Sequence, residues 1–124
     1  MPTLIACIST GKGTWTEVTK IMQSQPWHKI FLITTTFGQE NFTTKPANAN
    51  LVLIDTFLDT SQITEQIKKQ LNNHISDFEV ALNLASGSGK EHMAILEAVL
   101  ELGLNFRLVT LNNANQLEIM GIKR

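Results

Sequence analysis

Five short apolar runs, rich in β-branched residues, punctuate this chain at Thr3–Ile8, Lys29–Thr35, Asn50–Thr56, Glu79–Leu84 and Asn105–Leu111. They are almost continuously hydrophobic rather than cleanly alternating. Strands covered on both faces read this way, and a parallel sheet supplies that environment. Helical spacing fills most of the gaps. Thr14 and Glu17 form a T-x-x-E capping box ahead of Val18, Ile21 and Met22, and Pro26 ends that segment. Ile63, Ile67 and Leu71 repeat at four-residue spacing behind the cap candidates Asp59, Thr60 and Ser61. Met93, Leu96, Val99 and Leu100 make a third stripe in a helix predicted from Glu91 to Leu102, stopped by Gly103. Phe37–Ala49 is polar, holds Pro46 and lacks a period, which predicts a loop with room for one short helical turn. A sixth run, Gln116–Ile122, alternates better; it predicts an edge strand or hairpin partner after the turn-like Asn112–Asn113.

Strands alternating with helices in this order predict an α/β fold. The expected form is a Rossmann-like three-layer sandwich, a mostly parallel sheet of about five to six strands with helices on both faces. At 124 residues the chain is expected to be a single domain, residues 1–124. A net charge of −1 gives no global attraction to nucleic acid or an anionic membrane, so direct duplex binding is not expected. Cys7, the one cysteine, lies inside an apolar run and reads as a buried thiol; a disulfide framework within the chain is excluded. The amino terminus lacks the pattern of a secretory signal, and no apolar run approaches the ~18 residues of a membrane span. A cytoplasmic protein without membrane contact is expected.

The segment FEVALNLASGSGK, Phe78 to Lys90, carries the strongest functional signal. A buried-strand pattern empties through a Gly/Ser turn into a helix start. Such a junction presents backbone N–H groups without intrahelical partners and the positive end of a helix dipole. A phosphate-bearing ligand is therefore expected. The P-loop G-x-x-x-x-G-K-[ST] is excluded: Leu84 stands where its first glycine belongs, and Glu91 follows Lys90 where a magnesium-binding hydroxyl belongs. The G-x-G-x-x-G pattern also fails, since His92 and Thr16 occupy its third glycine position in the two loops that begin it.

The turn after the first strand reads Ser9-Thr10-Gly11-Lys12-Gly13-Thr14-Trp15, and that after the fourth reads Ala85-Ser86-Gly87-Ser88-Gly89-Lys90. In a parallel sheet both turns lie at the same end, where ligands bind. Hydroxyls and N–H groups suit phosphate or ribose oxygens, and each loop brings a lysine. Short βα turns also favour Gly, Ser and Thr for structural reasons alone. Thr34, at the end of the second strand, reaches the same rim, as β-propensity would also place it. Asn83, polar within a buried strand, must be hydrogen-bonded, either to a ligand or as a brace for the loop. His92 is a phosphate donor or a solvent-exposed residue; Trp15 stacks on a base or packs on the sheet. The ligand-binding candidates are thus Ser9, Thr10, Gly11, Gly13, Thr34, Asn83, Ser86, Gly87, Ser88, Gly89, Lys90 and His92. No metal-ligand spacing or G-x-S-x-G elbow occurs, so no metal and no cofactor is expected.

The run Ala81-Leu82-Asn83-Leu84-Ala85-Ser86-Gly87-Ser88-Gly89-Lys90, continuing to Met93 and Ala94, resembles the signature of CRISPR-associated Rossmann-fold (CARF) domains. There a hydrophobic strand with an embedded Asn enters a Thr/Ser-Gly turn ending in Lys, and a Met-containing helix follows. Ser9-Thr10-Gly11 is similar to the family's other ligand loop, and Thr34-Thr35 to a common threonine. The resemblance implies a homodimer whose paired pockets bind a cyclic oligoadenylate across the two-fold axis. It implies either a free-standing sensor or a metal-independent ring nuclease. In the second case Ser9 or Thr10 would position a ribose 2′-hydroxyl, and Lys90 would stabilise the phosphorane charge. Two other readings stand beside it: a small Rossmann-like enzyme or binding protein for a mononucleotide or sugar phosphate, and an interaction subunit without a ligand. Architecture alone does not choose among them.

Overall fold

The computed structural model describes residues 2–9, 12–43 and 45–121, with Lys12 described for its backbone alone. The strands are β1 (Leu4–Ile8), β2 (Ile30–Thr34), β3 (Ala49–Leu53), β4 (Glu79–Asn83), β5 (Asn105–Leu111) and β6 (Leu117–Ile119). The helices are α1 (Trp15–Ser24), entered through a 3-10 turn at Lys12–Thr14, α2 (Thr36–Asn41), α3 (Thr60–Leu71) and α4 (Gly89–Glu101). The fold is α/β. One six-stranded sheet runs in the order β3-β2-β1-β4-β5-β6. All neighbouring pairs are parallel except β5–β6, an antiparallel hairpin. That final strand is both edge strand and hairpin partner. Asn112 builds its turn, with Oδ1 accepting from the N–H groups of Ala114 (2.9 Å) and Gln116 (3.0 Å).

The continuous hydrophobicity of the runs has the expected cause in the middle of the sheet. Every residue of β1 and β2 is buried. Their side chains alternate between two cores. Ile5, Cys7, Phe31 and Ile33 join Ile63, Ile67 and Leu71 of α3 and Ala94, Ile95, Ala98 and Val99 of α4. Leu4, Ala6, Ile8, Ile30 and Leu32 join Trp15, Val18, Ile21 and Met22 of α1, together with Trp27 and Phe42. Helices therefore pack against both faces. Among the described residues no helix is long and apolar enough to cross a membrane.

Three local expectations change. Thr14 holds the N-cap position of α1 in αR backbone (φ −100°, ψ −2°), and its side chain makes no capping hydrogen bond. The 3-10 turn feeds the helix directly, so the extended cap geometry that a capping box needs is absent. The Phe37–Ala49 loop begins with more than a single turn, because Thr35 Oγ1 accepts from the Gly38 N–H (3.4 Å) and starts α2. The buried face of α4 is Glu91, Ala94, Ile95, Ala98 and Val99, while Met93 and Leu100 of the predicted stripe are 58% and 60% exposed. That face, which joins the small Ala94 and Ala98 to Ile95 and Val99, is the one that packs with α3 and the sheet.

Other boundary signals act as read. Gln25 is extended ahead of Pro26 and ends α1. Asp59 is the N-cap of α3, with Gln62 Oε1 accepting from its N–H at 3.0 Å. Gly103 takes φ +73° just past α4.

Gly38 packs α2 onto β2. A Cβ there would collide with Thr34 Oγ1 and approach the Ile8 carbonyl to 3.4 Å. Gly38→Ala is expected to cost about 1–3 kcal/mol by overpacking. Adding Thr34→Ala removes the hydroxyl in the way, so the double variant should be more stable than the sum of the single changes. Urea denaturation of all three variants measures that coupling.

Candidate functional site

The strand order reverses between β1 and β4. From β1 the chain runs to β2 and β3 on one side, and β4 and β5 lie on the other. Connections that diverge in this way leave a crevice beyond the carboxyl ends of the two strands. A cavity of about 410 Å³ lies there, lined by Ser9, Gly13 and Thr14 after β1 and by Ala85, Gly87, Ser88 and Glu91 after β4.

The β1 side is set by an aromatic anchor. Trp15 is buried, and its indole N–H donates to the Ser9 carbonyl at 2.9 Å. Its ring meets Phe42 edge-on, with centroids 5.5 Å apart at 88°. Of the two roles weighed for Trp15, packing is the one it performs. Ser9 is 5% exposed and sits at the base of the cleft.

The β4 side turns on Gly87. Its φ is +105°, and a Cβ at this position would lie 2.7 Å from Cys7 Sγ, so both conformation and space demand glycine. Cys7 is buried beneath it. Burial, with the Glu91 carboxylate adding to it, pushes the thiol far above its ordinary pKa and keeps it neutral. The chain then enters α4 through a capping box. Ser88 Oγ accepts from the Glu91 N–H (3.3 Å), and Glu91 Oε1 accepts from the Ser88 N–H (2.7 Å). The S-x-x-E spacing of Ser88 and Glu91 is the sequence signature of this box, a signal that comparison with the P-loop passes over.

Glu91 is 4% exposed although it is a carboxylate. Its Oε2 has no hydrogen-bond partner, nor does the Oγ of the fully buried Ser86. Among the described residues these are the buried side-chain polar atoms left in that state, and both belong to the β4–α4 junction. Native proteins leave few such atoms, and each one calls for a physical reason.

The structure brings Ser9, Gly13, Gly87 and Ser88 of the expected set around one cavity, and adds Thr14, Ala85 and Glu91. Thr10 and Gly11 lie outside the described residues. The other expected residues stand behind the wall. The Asn83 amide donates to the Val109 carbonyl (2.8 Å), and its Oδ1 accepts from the Ala85 N–H (3.2 Å), bracing β4 against β5 and shaping the turn. The Lys90 ammonium donates to the Thr56 carbonyl beyond β3 at 3.1 Å. His92 Nε2 meets the Ser86 carbonyl at 2.8 Å; since a carbonyl only accepts, Nε2 carries the proton. Gly89 opens α4. Thr34 is buried under Gly38. Among the described residues no Lys, Arg or His lines the cleft, and no group of three His, Cys, Asp or Glu is placed to hold a metal ion.

No protein-family model matches this chain, and no curated protein matches it either.

The two bonds of Asn83 make its contribution measurable. Asn83→Ala strands the Val109 carbonyl and the Ala85 N–H, and is expected to cost about 1–3 kcal/mol of stability. A shift of the denaturant midpoint at unchanged slope checks this; unchanged stability with lost ligand affinity would assign Asn83 to recognition instead.

Proposed function

We propose that this chain is a nucleotide-binding domain that takes its ligand in the β1–β4 cleft, and that the ligand is a cyclic oligoadenylate shared between two copies, as the CARF resemblance implies. The single observation that carries the nucleotide reading is convergence. Two loops seventy-odd residues apart in sequence, each rich in Gly, Ser and Thr, meet around one cavity where the strand order reverses. Hydroxyls of Ser9 and Ser88, exposed backbone at Gly13 and Gly87, and the amino-terminal end of α4 give that cavity the donors and acceptors a ribose phosphate uses. Packing of helices on both sheet faces supports reading the domain as a Rossmann-like three-layer sandwich.

Support for a second copy comes from α4. Met93 and Leu100 are seven residues apart on one helix face, and both stand exposed. Phe57 is 97% exposed beside Thr56, to which Lys90 of the same helix is bonded. A dimer through this side would cover apolar surface next to the cleft. Cleavage of the ring is the further step of this reading. Ser9 borders the cavity, and Lys90 would have to exchange the Thr56 carbonyl for a ligand phosphate.

A second reading, a binding protein or small enzyme for one mononucleotide or sugar phosphate, draws on the cavity itself. About 410 Å³ within a single chain falls in the range of pockets that hold one small ligand.

Calorimetry with cyclic tetra- and hexa-adenylate, beside AMP and ATP, separates the two. Binding at one ring per two chains is the expected result, with linear products absent or present according to whether the ring is cleaved. Binding of a mononucleotide by single chains, and of neither ring, would establish the second reading. Loss of cleavage in Lys90→Ala, with binding retained, would place that lysine in the reaction.

A further inference from the structure

Glu91 is the part of the cleft that phosphate binding does not explain. A carboxylate on the wall repels a phosphate oxygen, and no described cation in the lining offsets it. One carboxylate oxygen is held by the Ser88 N–H at 2.7 Å. The other is buried and lacks a donor. A buried charged acceptor without a donor is costly, and a ligand that brings a neutral hydrogen-bond donor to this wall relieves that cost. Ser86 Oγ, a second buried polar atom without a partner, marks the same junction.

Resting on the nucleotide reading above, we propose that Glu91 is the specificity residue of the cleft: Oε2 accepts from a ribose hydroxyl, so the ligand lies with its sugar edge, not its phosphate, against the start of α4. A hydrogen bond to a charged acceptor is stronger than one between neutral groups, and its geometry distinguishes a hydroxyl from a hydrogen atom. Lys90 is placed consistently with this. Lys90, one residue before Glu91, directs its ammonium away to Thr56 and does not neutralise the carboxylate.

The capping box makes a clean test available. Glutamine supports a capping box as glutamate does, so Glu91→Gln keeps the acceptor for the Ser88 N–H and removes the charge. A purely structural role for Glu91 is rescued by this change; a role in recognition is not. The measurement is calorimetry on the wild-type chain and E91Q, with cyclic tetra-adenylate and AMP and the 2′-deoxy form of each, alongside thermal melts. The wild type is expected to bind the ribose forms roughly 10- to 100-fold more tightly than the deoxy forms. E91Q is expected to melt near the wild type and to narrow that ratio by roughly 5- to 10-fold, because with the amide oxygen held by the Ser88 N–H the NH2 group, a donor, stands where Oε2 accepted.

Equal affinity of the wild type for ribose and deoxy forms overturns the inference and leaves nucleotide binding standing, and that comparison holds even if E91Q does not fold. An unchanged ratio in a folded E91Q also overturns it. Binding of none of the four probes brings down the nucleotide reading and the inference with it.

Discussion

The full burial of β1 is the constraint on which the rest of this molecule depends. Its residues are at most 1% exposed. It is paired along one edge with β2 through five residues and along the other with β4 through three. A parallel neighbour requires a crossover, and two parallel neighbours on opposite edges require crossovers that leave in opposite directions. The crevice at the carboxyl ends of β1 and β4 follows from that geometry, whatever side chains occupy it. The alternation within β1 then divides the molecule. Leu4, Ala6 and Ile8 serve the α1 core, and Ile5 and Cys7 serve the α3–α4 core. Cys7 links the core to the site, because its sulfur lies against the backbone of Gly87. A small, soft residue at the end of the central strand and a glycine above it set how closely the β4–α4 turn approaches the sheet.

Much of this was legible in the chain. Near-continuous apolar runs separated by helical stripes point to a parallel α/β sheet, because strands covered on both faces read this way; β1 and β2 are buried throughout, whereas the β3 and β5 runs are only partly covered. Both loops of the cleft were legible too, because parallel topology puts every βα turn at one end. The details that escaped depend on neighbours distant in sequence. The outward turn of Met93 and Leu100 follows from a buried face of Ala94, Ile95, Ala98 and Val99, a second helical stripe that the bulkier Met93–Leu100 stripe competes with in the sequence, and packing against α3 and the sheet decides between them. The 3-10 entry to α1 takes Thr14 out of the capping geometry that its T-x-x-E spacing suggested. Asn83 reads as a polar residue in need of a partner and His92 as a phosphate donor or a solvent-exposed residue, but polarity in a sequence does not say whether the partner is a ligand or a carbonyl. Here the bonds run to Val109, Ala85 and Ser86.

Glu91 is the residue on which motif reasoning and physical reasoning differ most. As a letter it breaks the P-loop pattern and opens the helix predicted from Glu91 to Leu102. As a side chain it closes a capping box with Ser88, lies against Gly87, adds to the burial that raises the pKa of Cys7 and forms part of the cavity wall. A glutamate needed only for capping has no reason to be buried, since a capping-box carboxylate functions at a solvated helix end with its second oxygen in water. Here that oxygen is buried in the cavity wall without a donor. The capping bond accounts for one oxygen of the carboxylate. The burial of the other is a cost that capping does not require, and a donor supplied from the cleft gives it a physical reason.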